Sequence, residues 1–577
     1  MDKISKKIKV IKNNINKIRK LFNSFNIDGY LVPKNDEYFQ EYANKDRLKF
    51  ISNFDGSAGL AMIMRKINYL FVDGRYTAQA KIQSGKNYKI LQIPEFLPSD
   101  KIKNNKLKIG YDPKLFTSRS LRIYFQNKIN LVPINKNLID LINYKKNKNI
   151  YSSFYTLNKE VVGESTKSKI NRLIKILNKN KVDYIFVSAP ENVAWLLNIR
   201  GNDSPYSPIP NSRIILGKNR NLFFFSNKKK IRNIKKLRYL NKIHFFDESD
   251  FKKILFKIKS GSFIIDEISC SAYFKNLISN KFKIKNLNDP IYYLKSKKNS
   301  KEIVHIKNAH LADGVALTKF LYWIKKNIRN NVSELDAEKK LEKFRRLNKN
   351  FLSPSFNTIA GSGPNGAIIH YRATKKTNRL LNKKEIFLCD SGGQYKYGTT
   401  DVTRTICFAE PEKYIKDIFT KVLKGHIAVV TSNLNTCYNG KLIDVRARKY
   451  LKKNGLDYAH GTGHGVGFFS NVHEGPQAIS KFNSIKLKEG MVLSNEPGFY
   501  KKGKFGIRIE NLIYVKKYKS RLFFENLTLV PIDKELINFK LLSKQEQNYL
   551  FNYHLNIYSK LSKYLNKNEK KWLTSFL

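Results

Sequence analysis

Two pairs of carboxylates in the C-terminal half of the chain lie where strands are expected to meet turns. Asp390 closes the short apolar run 386–389, and Asp401 lies in the β-prone run 399–405 that follows a glycine-containing turn. This pattern predicts a hairpin that brings the two carboxylates together. Glu496 and Glu510 are bracketed by apolar runs and predict a second hairpin. Taken alone, either pair is explained equally well by side chains that flank a turn.

Three of the nine histidines, His460, His464 and His473, lie close together in the sequence. His460 and His464 have the four-residue spacing with which a helix binds zinc. The glycines of residues 460–467 disfavour a helix, so we predict a loop whose backbone passes close to a ligand. A single histidine is more often a structural residue, but this clustering indicates a shared site.

Four carboxylates and one imidazole together have the composition of a dinuclear metal site. The set is Asp390, Asp401, His464, Glu496 and Glu510. Two divalent cations balance the charge of four carboxylates, whose burial without cations would be costly. Oxygen-rich ligation with one imidazole suits Mn²⁺, Co²⁺, Fe²⁺ or Zn²⁺. Two such ions about 3.5–4 Å apart would hold a bridging water and lower its pKa.

Residues 361–366 formally match the GxGxxG pattern of dinucleotide-binding folds. Pro364 and the β-prone pair Ile368 and Ile369 do not open the helix that such a fold requires. We therefore interpret the match as accidental.

The spacing of the five candidate ligands resembles the ligand pattern of the pita-bread metallopeptidases. Nearly the whole chain resembles the long, three-domain aminopeptidase P. Segments 390–405, 460–467, 471–476 and 363–371 are similar to its ligand hairpin, its histidine loops and its substrate-histidine segment. Segments 54–59 and 73–76 match its first domain, 195–203 its second, and 527–554 its C-terminal extension. Gly393 replaces a usual alanine and Asn495 a common aspartate, and neither change removes a ligand.

The resemblance implies roles for individual residues. Asp390 would chelate one ion, His464 and Glu496 the other, and Asp401 and Glu510 would bridge them. A hydroxide between the ions would attack the carbonyl before proline, and a ligand glutamate would transfer its proton to the proline nitrogen. The implied catalytic residues are His370, His460, His473, Glu496 and Arg508. The three histidines would also bind the substrate. Arg508 would hold the metal ligands in position.

The elements that must position these residues follow from the periodicity of the whole chain. Apolar residues at helical spacing precede the strand-like run 30–32, and a second such helix precedes the run 182–187, about one domain later. Asn299 and Glu302 predict the start of a third segment as an N-cap and its capping partner. The periodicity predicts an α/β (α+β) chain of three segments, at 1–150, at 151–298 after a polar linker around 144–153, and at 299–577. The resemblance implies that the first two are creatinase-like domains and that the third is a pita-bread catalytic domain with a C-terminal extension from about 515.

Composition limits the class of protein. No apolar run reaches the length of a membrane span, and the apolar stripe from Ile4 to Phe25 predicts an amphipathic helix rather than a secretory signal. A transit peptide or membrane-surface helix is the alternative to a first domain helix. Cys270, Cys389, Cys407 and Cys437 are scattered, which predicts free thiols and a cytoplasmic location. The net charge of +63 is spread through every segment, so we interpret it as a solvated surface.

The predicted function is that of an Xaa-Pro aminopeptidase with two divalent ions per chain, Mn²⁺ being favoured over Co²⁺ or Zn²⁺. The expected substrates are peptides with proline at the second position. The resemblance implies a homodimer, and neither a specific nucleic acid nor a membrane is expected as a partner. A prolidase-like dipeptidase and a catalytically dead, basic nucleic-acid-binding homologue are the alternatives.

Overall fold

The computed structural model describes residues 3–42, 45–102, 106–126, 129–143, 152–234 and 242–577, with side chains from residue 8 onward. The chain forms two compact units, residues 1–158 with 164–291, and residues 159–163 with 292–577. Residues 144–151 of the predicted linker, and the predicted boundary at residue 150, lie outside the described ranges. The boundary at 298 and the extension from about 515 stay predictions.

The first unit begins with a six-stranded sheet in the order β4-β3-β2-β1-β5-β6. Its strands are β1 Gly29–Pro33, β2 Leu60–Met64, β3 Asn68–Asp73, β4 Lys89–Ile93, β5 Lys108–Tyr111 and β6 Asn130–Pro133. Its helices are Lys3–Leu21, Arg47–Ser52, Thr77–Ser84, Ser118–Phe125 and Leu138–Ile142, with a 3₁₀ turn at Pro98–Lys101. The predicted apolar stripe of the first helix is buried at Ile11, Ile15 and Ile18 and continues to Phe22.

A second six-stranded sheet in the same unit has the order β12-β11-β10-β8-β13-β14. The strands of this region are β7 Tyr155–Thr156, β8 Tyr184–Val187, β9 Ile199–Arg200, β10 Arg213–Gly217, β11 Leu222–Phe225, β12 Ile243–Phe246, β13 Ser262–Ile265 and β14 Lys283–Asn286. Its helices are Thr166–Lys179, Pro190–Leu197, Phe251–Lys257 and Ala272–Ser279, with 3₁₀ turns at Arg232–Ile234 and Glu248–Asp250. The helix Pro290–Ser296 begins in this unit and ends in the second.

The two sheets repeat one topology. β1 pairs antiparallel with β2 and parallel with β5. β8 likewise pairs antiparallel with β10 and parallel with β13. The short strands β7 and β9 form a separate pair. The shared strand order confirms the predicted tandem of two related α/β domains.

The second unit contains short antiparallel sheets and long helices. Its sheets have the orders β15-β18-β19, β16-β17-β20, β22-β21-β23-β26-β27 and β24-β25. The strands are β15 Phe351–Pro354, β16 Ile359–Ser362, β17 Phe387–Ser391, β18 Gly393–Tyr395, β19 Gly398–Thr399, β20 Val402–Ile406, β21 Gly463–Gly465, β22 Glu474–Ile479, β23 Val492–Asn495, β24 Gly498–Lys501, β25 Phe505–Arg508, β26 Asn511–Tyr518 and β27 Arg521–Asn526. The helices are Lys159–Val162, Ser300–Asn327, Glu334–Arg346, Lys413–Val430, Gly440–Lys452, Lys544–Leu561 and Lys567–Thr574, with 3₁₀ turns at Gly363–Ala367, Lys534–Leu536, Phe539–Leu541 and Ser562–Tyr564.

Local sequence signals explain two boundaries in this unit. Asn299 caps the helix Ser300–Asn327 by accepting from the backbone of Glu302, whose carboxylate accepts from the backbone of Asn299 in return. This reciprocal pair confirms the predicted helix start. The GxGxxG match opens a five-residue 3₁₀ turn, Gly363–Ala367, and no α-helix follows it directly. The interpretation of that match as accidental therefore holds.

The remaining composition-based expectations concern thiols and membranes. All four cysteines are free, as their scattered positions predicted, and three of them are buried. Across the described ranges, none of the helices combines the length and apolar character that crossing a bilayer requires.

Candidate metal centre

Asp390 and Asp401 meet on an antiparallel hairpin. Asp390 lies in β17 opposite Thr403 of β20, and Asp401 directly precedes β20. This confirms that the two strands pair as a hairpin, but it corrects the predicted course of the chain between them. A second small hairpin, β18 with β19, occupies the predicted turn and interrupts the predicted return strand. The chain therefore turns back twice before Asp401 reaches the side of Asp390.

Glu496 and Glu510 occupy matching positions in a second hairpin. The outer strands β23 and β26 pair with Asn495 opposite Asn511, and the inner strands β24 and β25 pair with Gly498 opposite Arg508. Each glutamate lies at the junction between an outer and an inner strand. The predicted second hairpin is thus confirmed, and it places the two carboxylates beside each other.

His464 lies in the short strand β21, which corrects the predicted loop. Its flanking glycines allow the neighbouring strands to approach closely. A Cβ on Gly463 would lie 1.9 Å from the carbonyl oxygen of Ser494, and one on Gly465 would lie 2.2 Å from that of Glu474. The glycines therefore serve close packing of one strand against another, and the prediction that a helix is absent holds.

The two hairpins and β21 bring candidate ligand atoms together. His464 Nε2 lies 3.5 Å from Oδ2 of Asp401 and 3.5 Å from Oε1 of Glu496. Single ligand atoms of Asp401, His464 and Glu510 all lie within 4.8 Å of one another. His464 Nδ1 contacts the Gly465 carbonyl oxygen at 2.9 Å, which it reaches as a donor. The Nε2 lone pair of the neutral ring is then directed at the carboxylates.

The electrostatics of the cluster test whether cations fit it. Burial, together with the charge of Asp401, raises the pKa of Asp390 to about 6 even though Arg508 opposes the shift. Burial and the charges of Asp401, Glu496 and Asp390 raise the pKa of Glu510 well above its usual range. Such carboxylates cannot all ionise without nearby positive charge.

The remaining polar atoms of the cluster also fit divalent ions. Asp390 Oδ1 is buried and makes no hydrogen bond. Burial disfavours protonation of His464, but the hydrogen bond to Asp401 and the charge of Glu496 raise its pKa to about 9. In the absence of cations, His464 Nε2 would therefore carry a proton between Asp401 and Glu496. A divalent ion would take the place of that proton. This donor set suits two oxygen-ligated divalent ions, one of which accepts an imidazole.

Sequence reasoning missed several hydrogen-bond partners of these groups. Thr403 donates from Oγ1 to Glu510 Oε2 at 2.6 Å, and Ser494 donates from Oγ to Glu496 Oε1 at 3.0 Å. Each partner is two residues from a candidate ligand in the sequence. Because side chains alternate between the faces of a strand, this spacing could have identified both residues.

A chain of hydrogen bonds links Arg508 to one substrate histidine. Arg508 donates to Asp390 Oδ2 at 2.6 Å and to the Tyr500 hydroxyl at 2.6 Å. The Tyr500 hydroxyl lies 2.9 Å from His460 Nε2, while Nδ1 of the same ring lies 2.7 Å from the Gly461 carbonyl oxygen. Burial lowers the pKa of His460 to about 4, so its neutral ring donates from Nδ1 and accepts from Tyr500. No local pattern in the sequence predicted Tyr500 in this position.

The other two histidines reach the site differently. The ring of His473 packs edge-on against His464, with 4.3 Å between centroids. His370 follows Ile369, whose carbonyl oxygen accepts a long hydrogen bond of 3.5 Å from Arg508. All nine predicted site residues therefore belong to one region or to a segment that touches it. Their catalytic roles stay predictions.

Comparisons with known proteins agree with this architecture. Residues 304–517 match the model of metallopeptidase family M24, and 520–575 match the C-terminal region of peptidase M24. Residues 14–141 and 145–302 match two models of the creatinase/prolidase N-terminal domain.

Individual relatives match nearly the full length of this chain or about two thirds of it. Xaa-Pro aminopeptidase 1 of Dictyostelium discoideum is 35% identical over 98% of this chain and 96% of its own length. The crystal structure of X-prolyl aminopeptidase from Caenorhabditis elegans, described as a cytosolic enzyme with a di-nuclear active site, is 30% identical over 98% of this chain and 99% of its own, with a TM-score of 0.92. A recombinant prolidase from Thermococcus sibiricus is 26% identical over 65% of this chain and 99% of its own, with a TM-score of 0.52.

Proposed function

This chain belongs to metallopeptidase family M24, and we propose that it is an Xaa-Pro aminopeptidase that uses two divalent ions. The observation that carries this function is the cluster of Asp390, Asp401, His464, Glu496 and Glu510, in which three carboxylates are buried and His464 and Glu496 are partly exposed. Full-length similarity to an Xaa-Pro aminopeptidase supports the substrate class, namely peptides with proline at the second position.

The ligands would hold the two ions in the way the family resemblance implies. Asp390 would bind one ion through its unpartnered Oδ1, His464 and Glu496 would bind the other, and Asp401 and Glu510 would serve as ligands to both. When bound, the ions supply Lewis acidity, which polarises the scissile carbonyl and lowers the pKa of the attacking water. Carboxylate-rich ligation favours Mn²⁺, with Co²⁺ or Zn²⁺ as alternatives.

The chain's own residues would handle the substrate and its proton. Glu496 has an oxygen close to His464 Nε2 and would accept the proton of the attacking water and transfer it to the proline nitrogen. His370, His460 and His473 would bind the peptide around the scissile carbonyl and stabilise the charge that develops there. Arg508 would hold Asp390 in place through its buried ion pair.

The proposal extends to the location, the oligomeric state and the domain bounds of the chain. We propose a cytoplasmic homodimer in which residues 1–150 and 151–298 form the two creatinase-like domains and 299–577 the catalytic domain. The alternative of a prolidase-like dipeptidase is disfavoured because the Thermococcus prolidase matches only 65% of this chain. The alternative of a catalytically inactive, nucleic-acid-binding homologue is disfavoured because all five ligand positions have residues that can bind a metal ion.

Metal analysis and peptide hydrolysis test the function together. Purified protein should contain two divalent ions per chain and should release the first residue of an Xaa-Pro-Xaa tripeptide. An Xaa-Ala-Xaa tripeptide and an Xaa-Pro dipeptide are the matched controls and should be cleaved much more slowly. Preference for the dipeptide would favour a prolidase, and full activity in protein freed of metal by chelation would refute the metal-dependent mechanism.

A further inference from the structure

Glu334 is a fully buried carboxylate that accepts hydrogen bonds from four residues. Its Oε1 accepts from the backbone N–H of Ser362 at 2.8 Å and from Asn365 Nδ2 at 2.9 Å. Its Oε2 accepts from the Tyr371 hydroxyl at 2.8 Å and from the backbone N–H of Arg379 at 3.1 Å. A buried carboxylate is tolerated when donors of this number replace water.

These donors surround His370 in the sequence. Asn365 precedes it, Tyr371 follows it directly, and Arg379 lies further along the same turn-rich segment. The Tyr371 ring is anchored separately, because it packs in an apolar cluster with Ile359 and Leu388. The Glu334 carboxylate therefore binds residues on both sides of His370 in the sequence.

The opposite side of this segment rests on the metal-centre hairpin. A Cβ on Gly506 of β25 would lie 1.8 Å from the carbonyl oxygen of Gly366, so the two backbones are in direct contact. The Ile369 carbonyl oxygen, directly before His370, accepts from Arg508. The segment is thus held between Glu334 on one side and β25 on the other.

Helix capping does not explain why a carboxylate stands at this position. Ser333 already caps the helix Glu334–Arg346, and Asp336 accepts from the backbone of Ser333 in return. Glutamine would fill the same volume as Glu334, but it offers one acceptor oxygen and would turn an NH₂ group toward other donors. The four contacts require a group that only accepts.

We propose that Glu334 is a positioning residue for His370, which it acts on through Tyr371 and Asn365. The inference rests on the proposed role of His370 in substrate binding and catalysis. Small misplacements of a reacting group lower turnover without loss of the fold. Removing the carboxylate should therefore slow catalysis through His370, while the ions and the remaining ligands stay in place.

A double-mutant cycle in the full-length, metal-loaded enzyme tests this inference. Glu334→Gln, His370→Ala and the double variant are compared by kcat and KM on the Xaa-Pro-Xaa tripeptide, with melting temperature and metal content measured in parallel. Glu334→Gln should lower kcat roughly 10- to 100-fold with two ions retained and KM changed far less. In the His370→Ala background the same change should cost less than about 3-fold, because residues that act as a unit are not additive.

A second variant and a control complete the test. Tyr371→Phe keeps the packed ring and removes one donor to Glu334, so it should lower kcat roughly 5-fold even if Glu334→Gln does not fold. Glu385→Gln is the matched control, since Glu385 contacts Arg379 and Ser362 but none of the described contacts link it to Tyr371 or Asn365. Its kcat should stay within about 2-fold of wild type.

The outcomes separate this inference from the proposed function. Equal losses from Glu334→Gln in both backgrounds, or an unchanged kcat in Glu334→Gln and in Tyr371→Phe, would overturn the inference alone, provided that the wild-type enzyme cleaves the tripeptide. A wild-type enzyme that does not cleave it would overturn the proposed function and this inference with it.

Discussion

Arg508 and Asp390 form a buried ion pair, with 2.6 Å between Nη2 and Oδ2, although 118 positions separate them in the sequence. The pair joins the two hairpins that carry the candidate ligands. Only one oxygen of Asp390 is used in it, since Oδ1 is buried without a hydrogen-bond partner. The ion pair therefore fixes the orientation of the carboxylate through Oδ2, and Oδ1 is available to a cation.

The first prediction concerns metal content. Glu510→Gln should reduce the bound metal and lower kcat/KM by more than the ~10–100-fold typical of losing an outer hydrogen-bond partner, because it removes a ligand charge from the cluster. Metal analysis and tripeptide turnover measure both effects. Glu525→Gln on β27 is the control and should retain metal and turnover. Full metal content and normal turnover in Glu510→Gln would contradict the proposed ligand set.

A second prediction concerns two of the substrate histidines. His370→Ala and His473→Ala should each keep the fold and both ions, while turnover of the tripeptide falls by ~10²–10⁴-fold. Melting temperature and metal content distinguish this result from simple destabilisation. His244→Ala, at an exposed position of β12, is the control and should leave turnover unchanged. Turnover close to wild type in either variant would remove that histidine from the mechanism.

Close strand packing beside His464 gives a third prediction. In Gly463→Ala the new Cβ would meet the Ser494 carbonyl oxygen at 1.9 Å, so β21 and β23 must separate. His464 would move with β21, and both melting temperature and metal content should fall. Gly74→Ala is the matched control because its Cβ would meet no atom closer than 3.7 Å. An unchanged metal content in Gly463→Ala would show that the strand can adjust without moving its ligand.

Acid sensitivity is expected from His554. The ring is buried, and its Nε2 accepts from the backbone N–H of Ile532 at 3.1 Å. Burial lowers its pKa to about 3, whereas the unfolded chain has a pKa of about 6.5. Between these values the unfolded state binds more protons, so stability is present at neutral pH and is lost as the pH falls.

His554→Gln tests this acid sensitivity because it keeps an acceptor for Ile532 and removes the titration. Wild type should lose about 2 kcal/mol more than the variant between pH 7 and pH 5. Urea unfolding at both pH values measures the difference. His244→Gln, which changes an exposed histidine, should behave like wild type. Equal pH dependence in wild type and His554→Gln would exclude His554 as the source.

The net charge of +63 leads to a prediction about nucleic acids. Binding to duplex DNA should be weak and independent of sequence, because lysines spread over all segments contact phosphates rather than bases. Affinity should fall at least ~10-fold between about 50 mM and about 200 mM salt. Fluorescence anisotropy with two unrelated duplexes measures this. Tight, sequence-selective binding at physiological salt would revive the alternative of a nucleic-acid-binding homologue.

The sequence by itself determined the set of candidate ligands and the repeated N-terminal domain. Asp390, Asp401, Glu496 and Glu510 were found because apolar strands and turn residues are local signals that predict hairpins. The tandem repeat was visible because each copy carries its own helix and strand periodicity. Thr403 and Ser494 were also within reach, since each follows from the two-residue side-chain period of a strand.

Only the tertiary structure decided how these pieces meet. The glycines around His464 looked like a loop, yet they lie in a strand because close contact with Ser494 and Glu474 leaves no room for a Cβ. Glu334 gave no signal in the sequence, since its four hydrogen bonds come from residues 28 to 45 positions away. Hydrogen bonds between distant segments depend on how the whole chain packs. Local propensity and residue spacing do not predict that packing.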